Sequence, residues 1–358
     1  MKSIYVHIPF CVKKCHYCDF FSGHYSDETK EKYVSALTEH INSSNIKKTE
    51  TIFIGGGTPT ILSDKLLSKL LESLSQLSPK EFTVEANPCT ITKEKLSVLK
   101  GGGVTRLSIG MQSSEDRLLK IIGRSHTNDE FLKCAELAKQ FGFTINADAM
   151  FGLPSQTVKD WEKTLCQLIS LDIPHVSCYS LTIAENTPFG KKLPFPLPTE
   201  EEERLMYSMA EDILGEAGIN RYEVSNYARD GHQCLHNLMC WKGMEYRAFG
   251  SSAHGYEENI RYCYDQSVEE YIKMPHKTIL EKLSEDDKMS EFCILSLRLV
   301  TGIDIKEFRE KFNTDIFQKF DSVINKNIAL GLLKSENNHI SLTKQGFDIA
   351  NTVMADFL

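Results

Sequence analysis

The sequence lacks the features that mark several classes of protein. No run approaches the roughly 18 apolar residues that a helix needs to cross a bilayer. Near the N-terminus, His7 and Pro9 interrupt a brief apolar run, so we expect no signal peptide. Basic residues are outnumbered, with 41 lysines and arginines against 49 acidic residues. We therefore predict a cytoplasmic protein whose partners do not include nucleic acid.

The composition is that of an ordinary globular chain. With 41% hydrophobic and 25% charged residues, the sequence has no low-complexity tract. Its 358 residues predict two or three compact units. The eleven cysteines are an odd number in a chain without a secretion signal, which favours thiols and metal ligands over a disulfide framework.

Short β-branched or aromatic runs alternate with segments of helical periodicity in the first half of the chain. Segments 65–71 and 131–138 repeat apolar residues at i, i+3 and i+4, as crossover helices do. This βα repetition predicts an α/β fold whose parallel sheet either curves into a barrel or lies open. In both cases ligands bind beyond the carboxyl ends of the strands. The six predicted strands lie at 4–6, 51–54, 82–84, 107–109, 144–147 and 176–179.

The βα pattern ends near a group of prolines between 188 and 198, which favour an extended connector. The acidic run 200–203 is typical of the solvated first turn of a helix. After residue 285 a helix, a short strand around 340–343 and a further helix predict a small winged-helix-like unit. We expect three units, at 1–220, 221–284 and 285–358, the middle one an α+β segment.

Three cysteines follow the first predicted strand within eight residues. Cys11, Cys15 and Cys18 are spaced so that one loop can present three thiolates to three corners of an iron–sulfur cube. The fourth iron would then have no protein ligand, and an open coordination position is where a metal performs chemistry. Two alternatives are a redox dithiol and a zinc site with His16 as the fourth ligand.

This CxxxCxxC loop, together with the six-fold βα pattern, resembles the radical S-adenosylmethionine (SAM) superfamily. The resemblance implies a partial (β/α)6 barrel carrying a 4Fe-4S cluster, with an α+β C-terminal extension. It also implies that SAM chelates the open iron and is cleaved to a 5′-deoxyadenosyl radical when the cluster is reduced.

Polar and glycine residues after the later strands extend the resemblance. The glycine-rich segment 55–59 follows the second strand, where glycine lets the backbone approach a ligand, although a tight turn without a ligand is the alternative. The guanidinium of Arg124 suits the SAM carboxylate, although an exposed arginine at a helix end is the commoner case. By resemblance, the SAM pocket is formed by Tyr5, Tyr17, Gly56, Gly57, Thr58, Glu85, Gln112, Arg124 and Asp148.

Segments 5–11, 55–60 and 151–154 resemble one branch of the superfamily over nearly the whole chain. This branch contains the oxygen-independent coproporphyrinogen III oxidases and the HemW-type haem chaperones. The oxidases carry a further cysteine two residues after the third cluster ligand, where this chain has Phe20. They also have a long N-terminal extension, for which we expect no room before Cys11. Both features favour the chaperones.

Segment 236–241, HNLMCW, resembles the HNxxYW signature of the chaperones, with Cys240 in the tyrosine position. A neutral imidazole can ligate haem iron and an indole can pack against the macrocycle, so His236 and Trp241 are the candidate haem residues. A role as ordinary loop or core residues is the alternative. A zinc site formed with His232 and Cys234 fits no common finger spacing.

We therefore expect a haem chaperone that binds haem and passes it to acceptor haem proteins such as respiratory enzymes. The resemblance also implies a reductant protein for the cluster, homodimerisation and contact with membrane-bound haem proteins. The enzymatic alternative is oxidative decarboxylation of coproporphyrinogen III to protoporphyrinogen IX. A third alternative is a cluster-bearing scaffold with no haem function.

Overall fold

The computed structural model describes residues 2–358, which form an α/β fold with two sheets. Its strands are β1 (Ser3–Ile8), β2 (Thr51–Gly56), β3 (Glu81–Ala86), β4 (Arg106–Gln112), β5 (Thr144–Phe151), β6 (His175–Ser180), β7 (Asn220–Glu223), β8 (Asn226–Ala228), β9 (Tyr246–Phe249), β10 (His254–Glu257), β11 (Ile260–Cys263), β12 (Thr278–Lys282), β13 (Ile303–Asp304), β14 (Leu333–Glu336) and β15 (His339–Leu342).

The helices follow the predicted alternation and include the helix expected at the acidic run. They are α1 (Asp27–Ser43), α2 (Asp64–Leu74), α3 (Lys93–Gly101), α4 (Asp116–Ile121), α5 (Asn128–Gln140), α6 (Val158–Ser170), α7 (Pro188–Lys191), α8 (Glu200–Glu216), α9 (Leu235–Trp241), α10 (Val268–Lys273), α11 (Glu285–Leu297), α12 (Ile305–Phe312), α13 (Ile316–Ala329), α14 (Lys344–Asp348) and α15 (Ala350–Ala355). Short 3-10 turns lie at Pro59–Ile61, Ser75–Leu77 and Pro88–Thr90.

The large sheet has the order β12-β11-β10-β9-β1-β2-β3-β4-β5-β6-β8-β7. The strands β1 to β6 are neighbours in sequence order and all pair in parallel, which confirms the six predicted strands. Its end strands β12 and β7 do not pair with each other among the described residues, so the barrel is partial rather than closed. Every residue of β4 is buried, as expected for a central strand of a covered parallel sheet.

The crossover helices begin at residues whose side chains accept backbone N–H groups. Ser63 caps α2 in this way, and Thr127 and Thr157 form capping boxes at α5 and α6. The apolar face of α2 contributes Leu67 and Leu70 to the main core beneath the sheet. The helices thus cover the outer face of the sheet, which leaves its inner face and the strand ends free to build a site.

The C-terminal unit has a separate hydrophobic core that includes Phe308, Ile324 and Val353. Its small antiparallel sheet, in the order β13-β15-β14, packs with helices α11 to α15 in the helix–strand–helix–helix–strand–strand order of a winged helix. Across residues 2–358, none of the helices combines the length and the apolar character that spanning a membrane requires.

Candidate functional site

The three motif cysteines, Cys11, Cys15 and Cys18, line one cavity of about 480 Å³ at the carboxyl ends of the parallel strands. Backbone hydrogen bonds hold their loop at two points. Cys11 N–H donates to the Gly23 carbonyl at 2.8 Å, and His16 N–H donates to the Ile122 carbonyl at 3.0 Å. The fold therefore directs all three sulfurs into the same space.

The three thiols differ in the groups that surround them. Cys11 Sγ lies 3.7 Å from Thr58 Oγ1, and Arg124 Nη1 lies 3.8 Å from Cys15 Sγ. Burial, together with the nearby Cys15 and Cys11 thiols, raises the pKa of the Cys18 thiol to about 11. Removing this proton requires a strong positive charge in the cavity, which a bound metal centre supplies.

Neither of the two zinc sites considered from the sequence, the one with His16 and the one with Cys234, has a complete set of ligands among the residues that the structure describes. The Nδ1 atom of His16 is 2.9 Å from the Ile121 carbonyl oxygen, so the ring is tied to the end of α4. Cys234 Sγ lies 3.4 Å from Glu81 Oε1, and His236 Nδ1 lies 2.9 Å from Thr51 Oγ1. Between residues 2 and 358, no three histidine, cysteine or acidic side chains converge closely enough to hold a single metal ion.

The glycine-rich segment packs against the end of β1. Gly57 N–H donates to the Ile8 carbonyl at 2.8 Å, and Thr58 N–H donates to the Phe10 carbonyl at 2.7 Å. A Cβ atom at Gly57 would lie 2.6 Å from the Phe10 carbonyl oxygen, which is backbone and cannot move alone. Glycine is therefore required here by close packing of the turn, and the same turn forms one wall of the cavity.

Two half-buried carboxyl groups line the cavity, Glu85 near the end of β3 and Asp148 within β5. Burial and the nearby Asp148 carboxylate raise the pKa of Glu85 to about 8, against the opposing hydrogen bond that Gly56 N–H donates to it at 3.0 Å. Burial also raises the pKa of Asp148, which accepts a hydrogen bond from Asn146 Nδ2 at 2.7 Å. A cationic ligand between these groups would stabilise their ionised forms.

A positively charged side chain faces the same cavity from beyond the end of β4. Arg124 Nη2 donates to the Gly110 carbonyl at 2.6 Å, while its buried Nε atom has no hydrogen-bond partner among the described residues. Gln112 adopts a φ of 67° and accepts a hydrogen bond from the Tyr179 hydroxyl at 3.0 Å. The half-buried Tyr17 also lines this side of the cavity. The Arg124 guanidinium faces the same space and suits a carboxylate.

Tyr5 lies behind the cavity wall and does not line the cavity itself. Its ring stacks on Phe53 at a centroid distance of 6.2 Å, and Phe53 is the side chain that lines the cavity. The Tyr5 hydroxyl is 3.0 Å from His7 Nδ1. The remaining predicted SAM residues all lie on the one cavity, as do the three cysteines.

Several polar residues inside the barrel were not predicted from the sequence. Ser177 Oγ donates to Asn226 Oδ1 at 2.7 Å, and Asn146 Nδ2 donates to Ser108 Oγ at 2.7 Å. Arg106, at the start of β4, is buried and also lines the cavity. The period-2 alternation of each strand places these side chains on its inner face, a signal that could have identified them.

The helix α9 carries the HNxxYW-like segment, packs on the first residues of β2 and β3, and contributes Asn237 to the cavity. Its first backbone N–H groups, those of Leu235 and His236, donate to the Glu81 carboxylate at 2.9 and 3.0 Å. Burial lowers the pKa of His236 to about 4, so its imidazole is neutral, the form that ligates metals. His236 also lines a groove of about 460 Å³ beside the cluster loop.

The structure does not bring Trp241 into this groove with His236. The two residues are five positions apart on α9, which separates them by about 140° around the helix. The Trp241 ring instead lies under the Arg298 guanidinium at 4.2 Å, against the C-terminal unit. Cys240, four positions after His236, is the residue of α9 that shares the groove with it.

The residues of the cavity fit a 4Fe-4S cluster and SAM. Three thiols on one cavity suit a cluster with one open iron. The two half-buried carboxyls suit the positive charge of a sulfonium compound, and Arg124, with its unpartnered Nε, suits a carboxylate.

Comparison with known families agrees with this geometry. Residues 5–167 match the model of the Radical SAM superfamily, and residues 283–349 match that of the HemN C-terminal domain. The solved structure of coproporphyrinogen III oxidase (HemN) from Escherichia coli superposes with a TM-score of 0.87 at 20% identity, covering 99% of this chain and 89% of that one. At this identity the likeness establishes the fold alone.

The fold and the cysteine-lined cavity thus define a protein of the radical SAM class. Curated proteins named heme chaperone HemW match this chain along nearly its whole length. The Bacillus subtilis protein is 38% identical, covering all of this chain and 99% of its own, and the Lactococcus lactis protein is 36% identical, with 99% and 97% covered. The chain belongs to the HemW family.

Proposed function

We propose that the protein is a haem chaperone, which binds haem and passes it to acceptor haem proteins. The observation that carries the proposal is the similarity to proteins named heme chaperone HemW over the full length of the chain. This similarity therefore includes both the cluster loop and the C-terminal unit. The neutral imidazole of His236 beside an open groove supports a haem-binding role for this face of the molecule.

In this proposal Cys11, Cys15 and Cys18 hold a 4Fe-4S cluster, and SAM occupies the remainder of the cavity. When bound, the cluster and SAM supply one-electron reductive chemistry. Glu85 and Asp148 stabilise positive charge in the cavity, because both carboxyls line it and are partly withdrawn from water. The rest of the SAM site comprises Tyr17, Gly56, Gly57, Thr58, Gln112 and Arg124, with Tyr5 supporting it through Phe53.

Arg124 orients a carboxylate in this site. Its guanidinium is held by the Gly110 carbonyl and lies beside Cys15, so it lies next to the cluster loop. The turn at Gly57 closes the opposite wall, where the backbone bond to Ile8 leaves no space for a larger side chain. These residues bind and orient the cofactor and shield it from water.

We assign the cluster and SAM to unit 1–220, the HNxxYW-like segment to unit 221–284 and the winged-helix-like unit to 285–358. Trp241 acts in this scheme by fixing α9 to the C-terminal unit through Arg298, while His236 faces the groove. The expected partners are haem, acceptor haem proteins, some of them at a membrane, a reductant protein for the cluster, and a second copy of the chain. The expected compartment is the cytoplasm.

The competing function is that of a coproporphyrinogen III oxidase, whose fold this chain shares. Where the oxidases carry a further cysteine, Phe20 presents an exposed apolar ring, 64% of which is accessible. A phenyl ring has no acidic proton and no metal-binding atom, so it cannot replace a thiol in chemistry. The structure therefore favours the chaperone.

Anaerobic reconstitution followed by two assays on one preparation tests the proposal. Titration with ferric haem should give a saturable Soret change, and the loaded protein should transfer haem to an apo-haem protein. Incubation with coproporphyrinogen III, SAM and a reductant should give no protoporphyrinogen IX at catalytic turnover. Turnover in the second assay would overturn the assignment, and so would the absence of saturable haem binding in the first.

A further inference from the structure

The groove beside the cluster loop is lined by aromatic rings and by three histidines. It is open to solvent and has a volume of about 460 Å³, within the range of small-ligand sites. Phe20 and Phe21, directly after the last motif cysteine, form one wall and are both exposed. Tyr246 lines the groove from β9. Such a surface suits a flat, largely apolar ligand.

The histidines differ in the atoms that they leave for a ligand. Both nitrogens of His7 are engaged, Nδ1 with the Tyr5 hydroxyl at 3.0 Å and Nε2 with the Phe21 carbonyl at 2.9 Å. The Nδ1 atom of His236 is engaged with Thr51, and its ring is buried at the base of the groove. His254 is exposed at the rim.

The turn between β9 and β10 fixes the position of His254 at this rim. The turn between β9 and β10 contains Ser252 with a φ of 61°, a conformation that is costly for a residue other than glycine. A Cβ atom at Gly250 in the same turn would lie 2.5 Å from the His7 carbonyl oxygen, so the turn packs tightly on the end of β1. His254, the first residue of β10, is thereby fixed next to the groove.

We propose that this groove is the haem site and that His254 ligates the haem iron from its rim. The inference rests on the proposed chaperone function and deepens it by adding a ligand outside the HNxxYW-like segment. A neutral imidazole is a common axial ligand of haem iron. Phe20 and Phe21 cover the macrocycle on the side of the cluster loop, which puts the haem beside that loop.

The test compares His254→Ala with His276→Ala in the reconstituted full-length protein. His276 is also an exposed histidine of the second half of the chain, but it lies outside the groove. Titration with ferric haem should show at least a tenfold loss of affinity and a shifted Soret band for His254→Ala only. Free imidazole should restore the wild-type spectrum of His254→Ala, because it replaces the missing ligand.

Four further variants complete the test of the groove. Phe20→Ser should weaken haem binding several-fold, whereas Val12→Ser, on the same loop and 51% exposed but outside the groove, should leave it unchanged. Cys240→Ser should keep the imidazole-type spectrum. His254→Gln, which retains a polar side chain of similar length, should behave as His254→Ala. Cluster content measured in every preparation reports whether the variant is folded.

The outcomes separate the inference from the function on which it rests. If wild-type protein binds and transfers haem and both His254 variants keep its affinity and spectrum, the rim ligand is wrong while the chaperone function stands. Loss of the imidazole-type spectrum in Cys240→Ser alone would likewise overturn it, in favour of a thiolate. If wild-type protein shows no saturable haem binding, the proposed function itself fails.

Discussion

Single charged residues define the chemistry of the cavity, because the fold withdraws them from water. Glu85 lies near the end of β3 and Asp148 within β5, and exposed positions would leave both with ordinary pKa values. Burial raises the pKa of both instead, and Asp148 adds to the effect at Glu85. A site with two such carboxyls binds a cation more strongly than a neutral ligand.

The raised pKa of Glu85 gives a testable dependence of stability on pH. From its ordinary value of 4.5 to about 8, the folded protein holds a proton that the unfolded chain has lost. The free energy of unfolding therefore falls as pH rises through this window, by about 1.4 kcal/mol per pH unit for a single group. Glu85→Gln removes the dependence, so without SAM its melting temperature should exceed that of the wild type increasingly from pH 5.5 to 8.5.

The exposed Glu136 provides the matched control. Glu136→Gln should follow the wild type at both pH values, because the exposed side chain of Glu136 remains in water in the folded protein. Parallel melting curves of Glu85→Gln and the wild type at pH 5.5 and 8.5 would show that Glu85 is not a buried, destabilised acid.

The cysteines allow an equally direct comparison between residues of one type. Replacing Cys15 with alanine removes one of three cluster ligands, and a cluster with only two protein thiolates is not retained. Cys166, exposed on α6, is the control. We expect Cys15→Ala to lose at least 90% of the bound iron and sulfide after anaerobic reconstitution, and Cys166→Ala to keep it, as measured by chemical analysis and EPR. Equal iron content in the two variants would remove Cys15 from the cluster.

The turns that follow β1 and β2 determine the site at the scale of elements. These strands pair in parallel from Ser3–Thr51 to Ile8–Gly56, so their loops emerge side by side. Backbone bonds from the glycine turn to Ile8 and Phe10 then join the turn to the start of the cluster loop. The position of the cysteines thus depends on how closely two backbones approach.

Gly57→Ala tests this dependence. The added Cβ atom would lie 2.6 Å from the Phe10 carbonyl oxygen and 2.9 Å from the Phe10 nitrogen, so the cluster loop must shift. We expect a loss of about 1–3 kcal/mol in the free energy of unfolding, measured by urea denaturation, together with weaker SAM binding.

Gly101→Ala is the control, because a Cβ atom at Gly101 in α3 meets no atom within 4 Å. We expect it to stabilise the protein by up to about 1 kcal/mol, since alanine is the better helix former. Equal stability of the two variants would mean that the turn has space for a side chain and does not position the loop.

At the scale of the whole molecule, the two hydrophobic cores are joined by a buried ion pair. Arg298, at the end of α11, lies 3.4 Å from Glu223 of β7 and covers the Trp241 ring of α9. Glu223 is fully buried, and burial raises its pKa although Arg298 opposes the shift. One side chain thus connects the barrel, α9 and the C-terminal unit.

Arg298→Met should therefore cost about 3 kcal/mol in the free energy of unfolding, because it leaves the buried Glu223 carboxylate without its cation. The control is Lys344→Met, which removes the exposed pair of Lys344 and Asp212 between the same two parts of the molecule. That change should cost less than about 1 kcal/mol. Urea denaturation at pH 7 measures both, and equal costs would show that Arg298 contributes no more than a surface pair.

Much of this arrangement follows from local patterns. The six parallel strands, their crossover helices and the acidic start of α8 were predictable because periodicity and capping residues act over a few neighbours. The cysteine spacing and the glycine turn were recognisable for the same reason. The polar side chains inside the barrel were missed, although strand alternation marks them, because only pairing of distant strands shows that they face one cavity.

The sequence by itself determined the order of strands and helices, the cysteine loop and its proximity to the glycine turn, because each depends on contacts between residues near in the chain or on adjacent strands. Only the tertiary structure decided which way α9 faces and what its residues contact. The cap from Glu81 and the stacking of Arg298 on Trp241 join residues 57 to 155 positions apart. Such contacts arise from packing of distant surfaces, and no local pattern records which surfaces will meet.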